Sequence, residues 1–432
     1  MYQHSLAHFT STDGTTRVEG RLAEPDRYRL LFDRQCDGPV IARGAGLSYV
    51  AASMGDGVLS VGMRHFSRLL GFDAENGVVE VEAGATLADV LRFLLPKGFI
   101  LPVMPGHPMI TVGGCIAADV HGKNPVRDGT FRDHLLSLDL WHAKLGLRRF
   151  EAGSTAFEAS CGGYGLTGII VSARLKARRL AGRLARMALT PVSGFDEAHA
   201  ILRERSPDAD LVYSWHNWKS SSSASGFVIQ GTILPSQQND TLGPVAPLTP
   251  GKGLPLINRA TIPLFNAAYG LKLLRQRGQV APLAHLLFPL AKMGFYFRLY
   301  GNGFLEHQVL VPHDKWSAYW PLLGRLLQDH GVRPVVTSLK MFGGRRKAMG
   351  FDGDGVALTI NVVNEPRSIT LFEALDKVDC DIGAVANAVK DSRLGAEAFR
   401  HQTPWLQDFL TERAVLDPDR SFQSALSRRL AL

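Results

Sequence analysis

Three stretches of small residues carry the clearest chemical signal in this 432-residue sequence. The first, Ala42-Arg43-Gly44-Ala45-Gly46-Leu47-Ser48-Tyr49, follows a short apolar run beginning at Pro39. The second extends from Pro105-Gly106 through Thr111-Val112-Gly113-Gly114-Cys115 to His121-Gly122-Lys123-Asn124. The third is Gly162-Gly163-Tyr164-Gly165-Leu166-Thr167-Gly168-Ile169-Ile170. Glycine lets the main chain approach a diphosphate closely, and successive N–H groups then donate to its oxygens. Ser48 adds a hydroxyl donor, and the small residues of the second stretch let a flat ring lie against the backbone. The first stretch lacks the third glycine and the following helix of a Rossmann fingerprint.

The elements that must position these stretches read as alternating strands, turns and short helices from about residue 38 to 175. Pro39 to Ala42 and Val58 to Val61 have the pattern of short buried strands. Leu69 to Phe72 and Val78 to Val81, joined through Asn76-Gly77, read as a hairpin whose turn needs positive φ. A helix follows, capped by Thr86 with Asp89 three residues on; it buries Leu87, Val90, Leu91 and Leu94 and ends at Pro96 and Gly98. Further strands are expected at Ile116 to Val120, Leu136 to Trp141 and Ile169 to Leu175. Glycine thins near residue 180 and arginines appear, which marks a domain boundary. Beyond it, Lys219 to Ser223 and Pro235 to Pro255 read as an irregular, mobile insert, either a lid or a surface loop without a role. The apolar stretch Ile262 to Phe297 reads as substrate-domain core, with a peripheral membrane face as the alternative.

The length suits two domains, and 45% apolar with 20% charged residues suits a globular protein. A net charge of +8 suits an anionic ligand or membrane surface. No basic stripe interleaved with aromatics points to nucleic acid. Cys36, Cys115, Cys161 and Cys380 form no C-x-x-C pair, so neither a metal site nor a disulfide framework is expected, and a reducing compartment fits. Cys115 and Cys161 read as buried. Met1 to Ser5 have no basic region leading into an apolar one, and no apolar run is long enough to cross a membrane. Gly343 to Lys347 reads as an exposed basic turn, with a site for a substrate phosphate or anionic lipid as the alternative.

At this spacing the three stretches, with the hairpin and helix between the first two, resemble the FAD-binding domain of the vanillyl-alcohol-oxidase/para-cresol-methylhydroxylase superfamily over most of residues 10–180. Further segments resemble one branch of that superfamily. They are Asp119-Val120-His121-Gly122-Lys123-Asn124, Leu138-Asp139-Leu140, Gly303 to Pro312, Leu339-Lys340-Met341-Phe342-Gly343, Lys390-Asp391-Ser392-Arg393 and the tail from Leu416 to Leu430. Members of that branch oxidise the 2′-hydroxyl of a polyprenyl-phosphate-linked ribofuranose. Residues from about 185 to 285 match poorly.

The resemblance implies a two-domain α+β flavoprotein. Residues 1–180, completed by 386–432, would form the FAD-binding domain, and 181–385 a substrate domain built on an antiparallel sheet. It implies FAD contacts from Arg43, Gly44, Ala45, Gly46, Leu47, Ser48 and Tyr49, and from Pro105, Gly106, Thr111, Gly113, Gly114, Cys115, Ala118, Val120, His121, Gly122 and Asn124. Gly165, Gly168, Ile170 and Asn387 complete that set. Lys390, His121 and Tyr49 are the implied catalytic residues, and Gln308, Lys340, Lys123, Thr359 and Trp215 the implied substrate contacts. Lys390 is expected to hold or deprotonate the substrate hydroxyl, with its pKa depressed by burial. Relatives with flavin bonded to histidine read G-H-S where this chain has Gly46-Leu47-Ser48, so the FAD is expected to be non-covalent. Thr359 stands where a relative carries cysteine, and Asn387 where it carries a flavin-contacting tyrosine.

The implied reaction converts the 2′-carbinol of a lipid-linked sugar phosphate to a ketone. A separate NAD(P)H-dependent short-chain reductase would complete an epimerisation. The implied location is cytoplasmic, with peripheral contact at the inner membrane face. Two alternatives stay open: oxidation of a soluble alditol, aldonolactone or hydroxy acid, and a flavoprotein-derived binding subunit without turnover.

Overall fold

The computed structural model describes residues 2–32, 38–220, 223–236, 242–249, 251, 253–345 and 349–432. Five sheets and short helices build a mixed α+β, two-domain architecture. In the N-terminal part, Ser5–Thr10, Arg17–Ala23, Leu59–Gly62 and Val40–Arg43 form one four-stranded sheet in that order. Its last three strands pair parallel. An antiparallel five-stranded sheet follows, in the order Leu69–Asp73, Val78–Glu82, Ile169–Lys176, Leu135–His142, Gly146–Glu151. The expected hairpin is there, with Gly77 at φ +64° in its turn. Leu87–Leu94 is the expected helix, with Thr86 and Asp89 forming a reciprocal capping box; it buries Leu87, Val90, Leu91 and Leu94 against this sheet.

Ile116 to Val120 is not a strand. Thr111 accepts from Gly114 N–H as an N-cap, and Val112–Ala117 is a short helix despite its two glycines. Gly113 must pack tightly there, since a Cβ would lie 3.0 Å from that of Ala83. The ends of the serine run, Ser220 and Ser223, are strand residues rather than part of an irregular insert. Leu211–Ser220 and Ser223–Leu234 are long antiparallel strands paired with each other. Residues 221–222, 237–241, 250 and 252 of the expected insert lie outside the described residues, as do Cys36 and, in the basic turn, Arg346 and Lys347.

Two further antiparallel sheets follow residue 184. One orders Leu211–Ser220, Ser223–Leu234, Leu184–Val192 and Val280–Pro282; the other orders Val336–Gly343, Asp354–Val363, Phe304–Val311 and Val385–Ala386. They adjoin where Leu339 N–H donates to Ser214 Oγ (3.1 Å), and they share a core that includes Phe195, Trp316, Tyr319 and Phe372. After Ala386 the chain returns to the N-terminal part. Leu394, Phe399, Phe409 and Leu426 pack with Ile41, Val50 and Tyr164.

Candidate active site

The three glycine-rich stretches come together. Gly44 abuts the second stretch so closely that a Cβ on it would lie 2.2 Å from Thr111 Oγ1. The third stretch is tied to the second by Gly162 N–H to Ile116 O (2.9 Å) and Tyr164 N–H to Ala117 O (2.8 Å). Buried Asp119, itself at φ +41°, takes Arg132 Nε at 2.6 Å, and Arg132 reaches on to the Cys161 carbonyl. That ion pair fixes the turn leading into His121.

Among the described residues, no main-chain N–H from Gly44 to Tyr49 donates a hydrogen bond within the protein. Six successive donors without protein partners, in a loop where side chains at Gly44 and Gly46 would collide, fit a diphosphate. His107 Nε2, in the second stretch, is likewise buried without a partner. Arg43 lies beneath the loop, with Nη1 on Ser53 Oγ at 3.1 Å and the guanidinium over the Phe9 ring. Pro105 and Val120 line the second stretch; Gly165 and Gly168, at φ +77° and +148°, bend the third into Ile170. A cleft between stretches two and three and residues 385–389 is lined by Ala118, Tyr164, Phe351 and Asn387.

Two expected cofactor contacts are placed otherwise. Asn124 Nδ2 donates to Ser206 O and Ala209 O at 2.8 and 2.7 Å, so this buried amide straps the second stretch to the segment that follows the helix Phe195–Arg205. Cys115 is wholly buried in the core, and burial pushes its thiol pKa up.

The chemistry-bearing side chains gather on one face of the strands 304–311, 336–343 and 354–363. Side chains alternate along a strand, so Glu306 and Gln308 point one way and His307 the other. Across the ladder, Gln308 opposes Thr359 and Glu306 opposes Asn361. Gln308 Nε2 donates to Thr359 Oγ1 (2.9 Å), and its Oε1 accepts from Asn387 Nδ2 (2.6 Å) and faces His121 Nε2 (3.3 Å). His121 Nδ1 faces Lys340 Nζ at 3.4 Å, and that nitrogen also donates to Gly122 O at 3.0 Å. Burial first, then Lys340, hold His121 well below the ordinary histidine pKa, so its ring is neutral. His121 Nδ1 also lies 3.2 Å from Gly122 O, so the one N–H of the neutral ring donates either to that carbonyl or to Gln308 Oε1, according to the tautomer.

Lys390 projects into the same space. Its ammonium sits 4.1 Å from the Tyr49 ring centroid and 3.5 Å from Glu306 Oε1. Glu306 Oε2 accepts from Asn361 Nδ2 at 2.8 Å. Burial works to lower the Lys390 pKa, but the Glu306 carboxylate and Tyr49 outweigh it and raise the pKa above the ordinary lysine value. The expected depression is therefore reversed: Lys390 is an ammonium held by a counter-ion, not an amine poised to take a proton. Glu306 is the site residue that sequence reasoning missed. A glutamate inside Phe304–Val311, where every residue is buried, was the available signal.

The other two lysines behave oppositely. Burial, then Lys390, bring Lys123 down to about 8; burial, then Lys123 and Lys390, hold Lys340 well below its usual range. Lys123 Nζ lies 5.1 Å from the Tyr213 ring. Trp215, two residues along that strand, is buried against Phe227, Tyr269 and Leu273 and seats the helix Ile262–Gln276. Tyr49 packs edge-on against Phe304 and Phe297, and burial pushes its hydroxyl up to about 12.

Behind this face lies a buried clamp. His307 stands between Asp379 (3.2 Å) and Asp391 (3.4 Å), and Asp391 also binds Arg393 Nη2 at 2.7 Å. Burial opposes charge on His307, but the two aspartates raise its pKa to about 9. Asp391 is the neighbour of Lys390, so the clamp fixes the turn that aims Lys390 at Glu306.

A glycine-built dinucleotide cradle opening on a cluster of lysines, a histidine and a carboxylate defines an FAD-dependent oxidoreductase, and residues 33–146 match the FAD binding domain family. The chain is 31% identical over 412 residues to decaprenylphosphoryl-β-D-ribose oxidase of Mycolicibacterium smegmatis, covering 91% of this chain and 89% of that protein. It is 29% identical over 377 residues to a Streptomyces coelicolor protein from the mprA 5′ region, covering 80% of this chain and all of the relative. D-lactate dehydrogenase of Anaerostipes hadrus is 31% identical over 147 residues, or 32% of this chain and 31% of that protein. The chain belongs to the decaprenylphosphoryl-β-D-ribose oxidase family, FAD-binding enzymes whose relatives act on CH–OH groups.

Proposed function

We propose that this enzyme oxidises the C2′ hydroxyl of a polyprenyl-phosphate-linked β-D-ribofuranose to the 2-keto sugar. The observation that carries the reading is the Lys390–Glu306 pair, set beside His121 and Gln308 at the mouth of the cradle. The FAD, held without a covalent link because Leu47 stands where a bonding histidine would be, supplies the hydride acceptor. The carbinol carbon loses its hydrogen as hydride while the hydroxyl loses a proton, and the C–O bond becomes a carbonyl.

The Lys390 ammonium donates to the hydroxyl oxygen and stabilises the charge that grows there as the O–H bond breaks. Glu306, 3.5 Å from Lys390 and the carboxylate of this face, takes the proton. His121, neutral and held between Gln308 and Lys340, orients the sugar. Burial and neighbouring lysines disfavour the charged forms of Lys123 and Lys340, and a substrate phosphate between them would favour those forms. Tyr49 walls the site and anchors Lys390 through its ring.

The keto sugar then leaves for an NAD(P)H-dependent reductase of the short-chain class, which completes an epimerisation to the arabinose configuration. A lipid-linked substrate also calls for peripheral contact with the cytoplasmic membrane face. Substrate carrying deuterium at C2′ tests the assignment: the label must be absent from the product, which must be two mass units lighter than unlabelled substrate. Retention of the label would place the oxidation at another carbon.

A further inference from the structure

The helix Ile262–Gln276 has two apolar faces where a surface helix ordinarily has one. Its inner face is buried through Ile262, Asn266 and Leu273, and Tyr269 lies 5.2 Å from Trp215 on that side. On the opposite side, two turns apart, Leu264 is 71% and Leu271 50% exposed, with Ala267 and Ala268 exposed between them. Leu274 borders this stripe, and Lys272 and Arg275 stand exposed at its C-terminal end. Leu254 and Phe295, in the segments flanking the helix, are 69% and 55% exposed. The expectation of plain core for this stretch therefore holds for one face only.

The charge pattern is equally one-sided. Between Asp240 and Glu306 the sequence has no aspartate or glutamate and seven lysines and arginines. Among the described residues, no helix is long and apolar enough to cross a membrane. Exposed leucines among positive charges, in a stretch of sequence without acidic residues, match a surface that is apolar below and anionic above, which is the outer layer of a bilayer containing acidic lipids. A second copy of this chain would bring the same positive charges against themselves.

We infer that the outer face of the 262–276 helix docks on anionic lipid, with Leu264 and Leu271 inserted among the acyl chains and Lys272 and Arg275 on the headgroups. The inner face leads through Tyr269 and Trp215 to Tyr213 and Lys123. Docking therefore sets the mouth of the site towards the membrane. The inference gives the proposed lipid-linked substrate its route, but vesicle binding needs no substrate, so the two can fail separately.

The test is co-sedimentation of the full FAD-loaded protein with phosphatidylcholine vesicles, with and without phosphatidylglycerol. Binding is expected only with phosphatidylglycerol, and salt should weaken it. Leu264→Ser/Leu271→Ser and, separately, Lys272→Glu/Arg275→Glu should each weaken partitioning at least about tenfold, with melting temperature and flavin spectrum unchanged. Both pairs should still turn over a short-chain, water-soluble substrate analogue at the unmodified rate. Equal binding to neutral vesicles, no binding to either, or full binding by both variants overturns the inference. So does a self-association, seen by sedimentation velocity, that the leucine pair abolishes while vesicle binding stays intact.

Discussion

Lys390 and Glu306 face each other at 3.5 Å, with Tyr49 closing over the ammonium at 4.1 Å. The lysine side chain is still one-third exposed, whereas the glutamate is 7% exposed. In the proposed mechanism this pair, reachable from one side, is a donor–acceptor couple: the ammonium would steady a developing alkoxide and the carboxylate would take its proton. Lys390→Ala should therefore lower the rate of flavin reduction by about 10²-fold or more while leaving FAD bound. Glu306→Gln should cost a comparable factor and, by removing the counter-ion, let the Lys390 pKa fall. Stopped-flow reduction of each purified variant checks this; near-normal rates in either remove that residue's role.

The proposed phosphate subsite makes a pH prediction. Lys123 titrates near 8 in the free enzyme and is charged below that value. Because kcat/KM follows the free enzyme, it should decline above about pH 8 for a phosphate-bearing substrate. It should not decline there for the corresponding free sugar. Parallel profiles for the two substrates would detach Lys123 from the phosphate.

Gly44 sets the distance between the first two glycine-rich stretches. In Gly44→Ala the new methyl would meet Thr111 Oγ1 at 2.2 Å, inside any tolerable contact. The expected result is a folded protein destabilised by about 1–3 kcal/mol, with FAD affinity sharply reduced. Calorimetric FAD titration and thermal melting measure both, and unchanged FAD affinity would place the cradle elsewhere.

His307 gives stability its own pH dependence. Its pKa rises from an ordinary 6.5 to about 9 on folding, so the folded chain binds a proton the unfolded chain releases. That contribution is complete below about 6.5 and is lost as the pH climbs through about 9. Denaturant midpoints should fall over this interval, and His307→Gln should flatten the fall. A wild-type midpoint that does not drop there contradicts a charged His307.

Much of this arrangement was legible because local chemistry and global fold agree. Thr86 and Asp89 announce their helix, and Gly77 its turn. The three glycine-rich stretches announce a backbone cradle wherever they meet. Other features depend on partners distant in sequence. Glu306 gains meaning only when strand register sets it beside Asn361 and the chain brings Lys390 back 84 positions later. Asn124 sits among apparent cofactor residues, but its amide is spent on Ser206 and Ala209. Val112–Ala117 is helical because Thr111 caps it and Ala83 packs on Gly113, which outweighs the poor helix propensity of two glycines. The serine run looked like a loop by composition, yet cross-strand pairing along Leu211–Ser220 carries the strands to its edge.

In the proposed reaction, FAD bound in this cradle would accept hydride from a lipid-linked pentose poised by Lys390 and Glu306. Anaerobic mixing with candidate substrates tests it most directly, read by the visible flavin band. A polyprenyl-phosphate β-D-ribofuranose should bleach the band in the wild type and leave it unchanged in Lys390→Ala. Bleaching by a soluble alditol, aldonolactone or hydroxy acid, with none by the lipid-linked sugar, would exclude the lipid-linked pentose as the substrate.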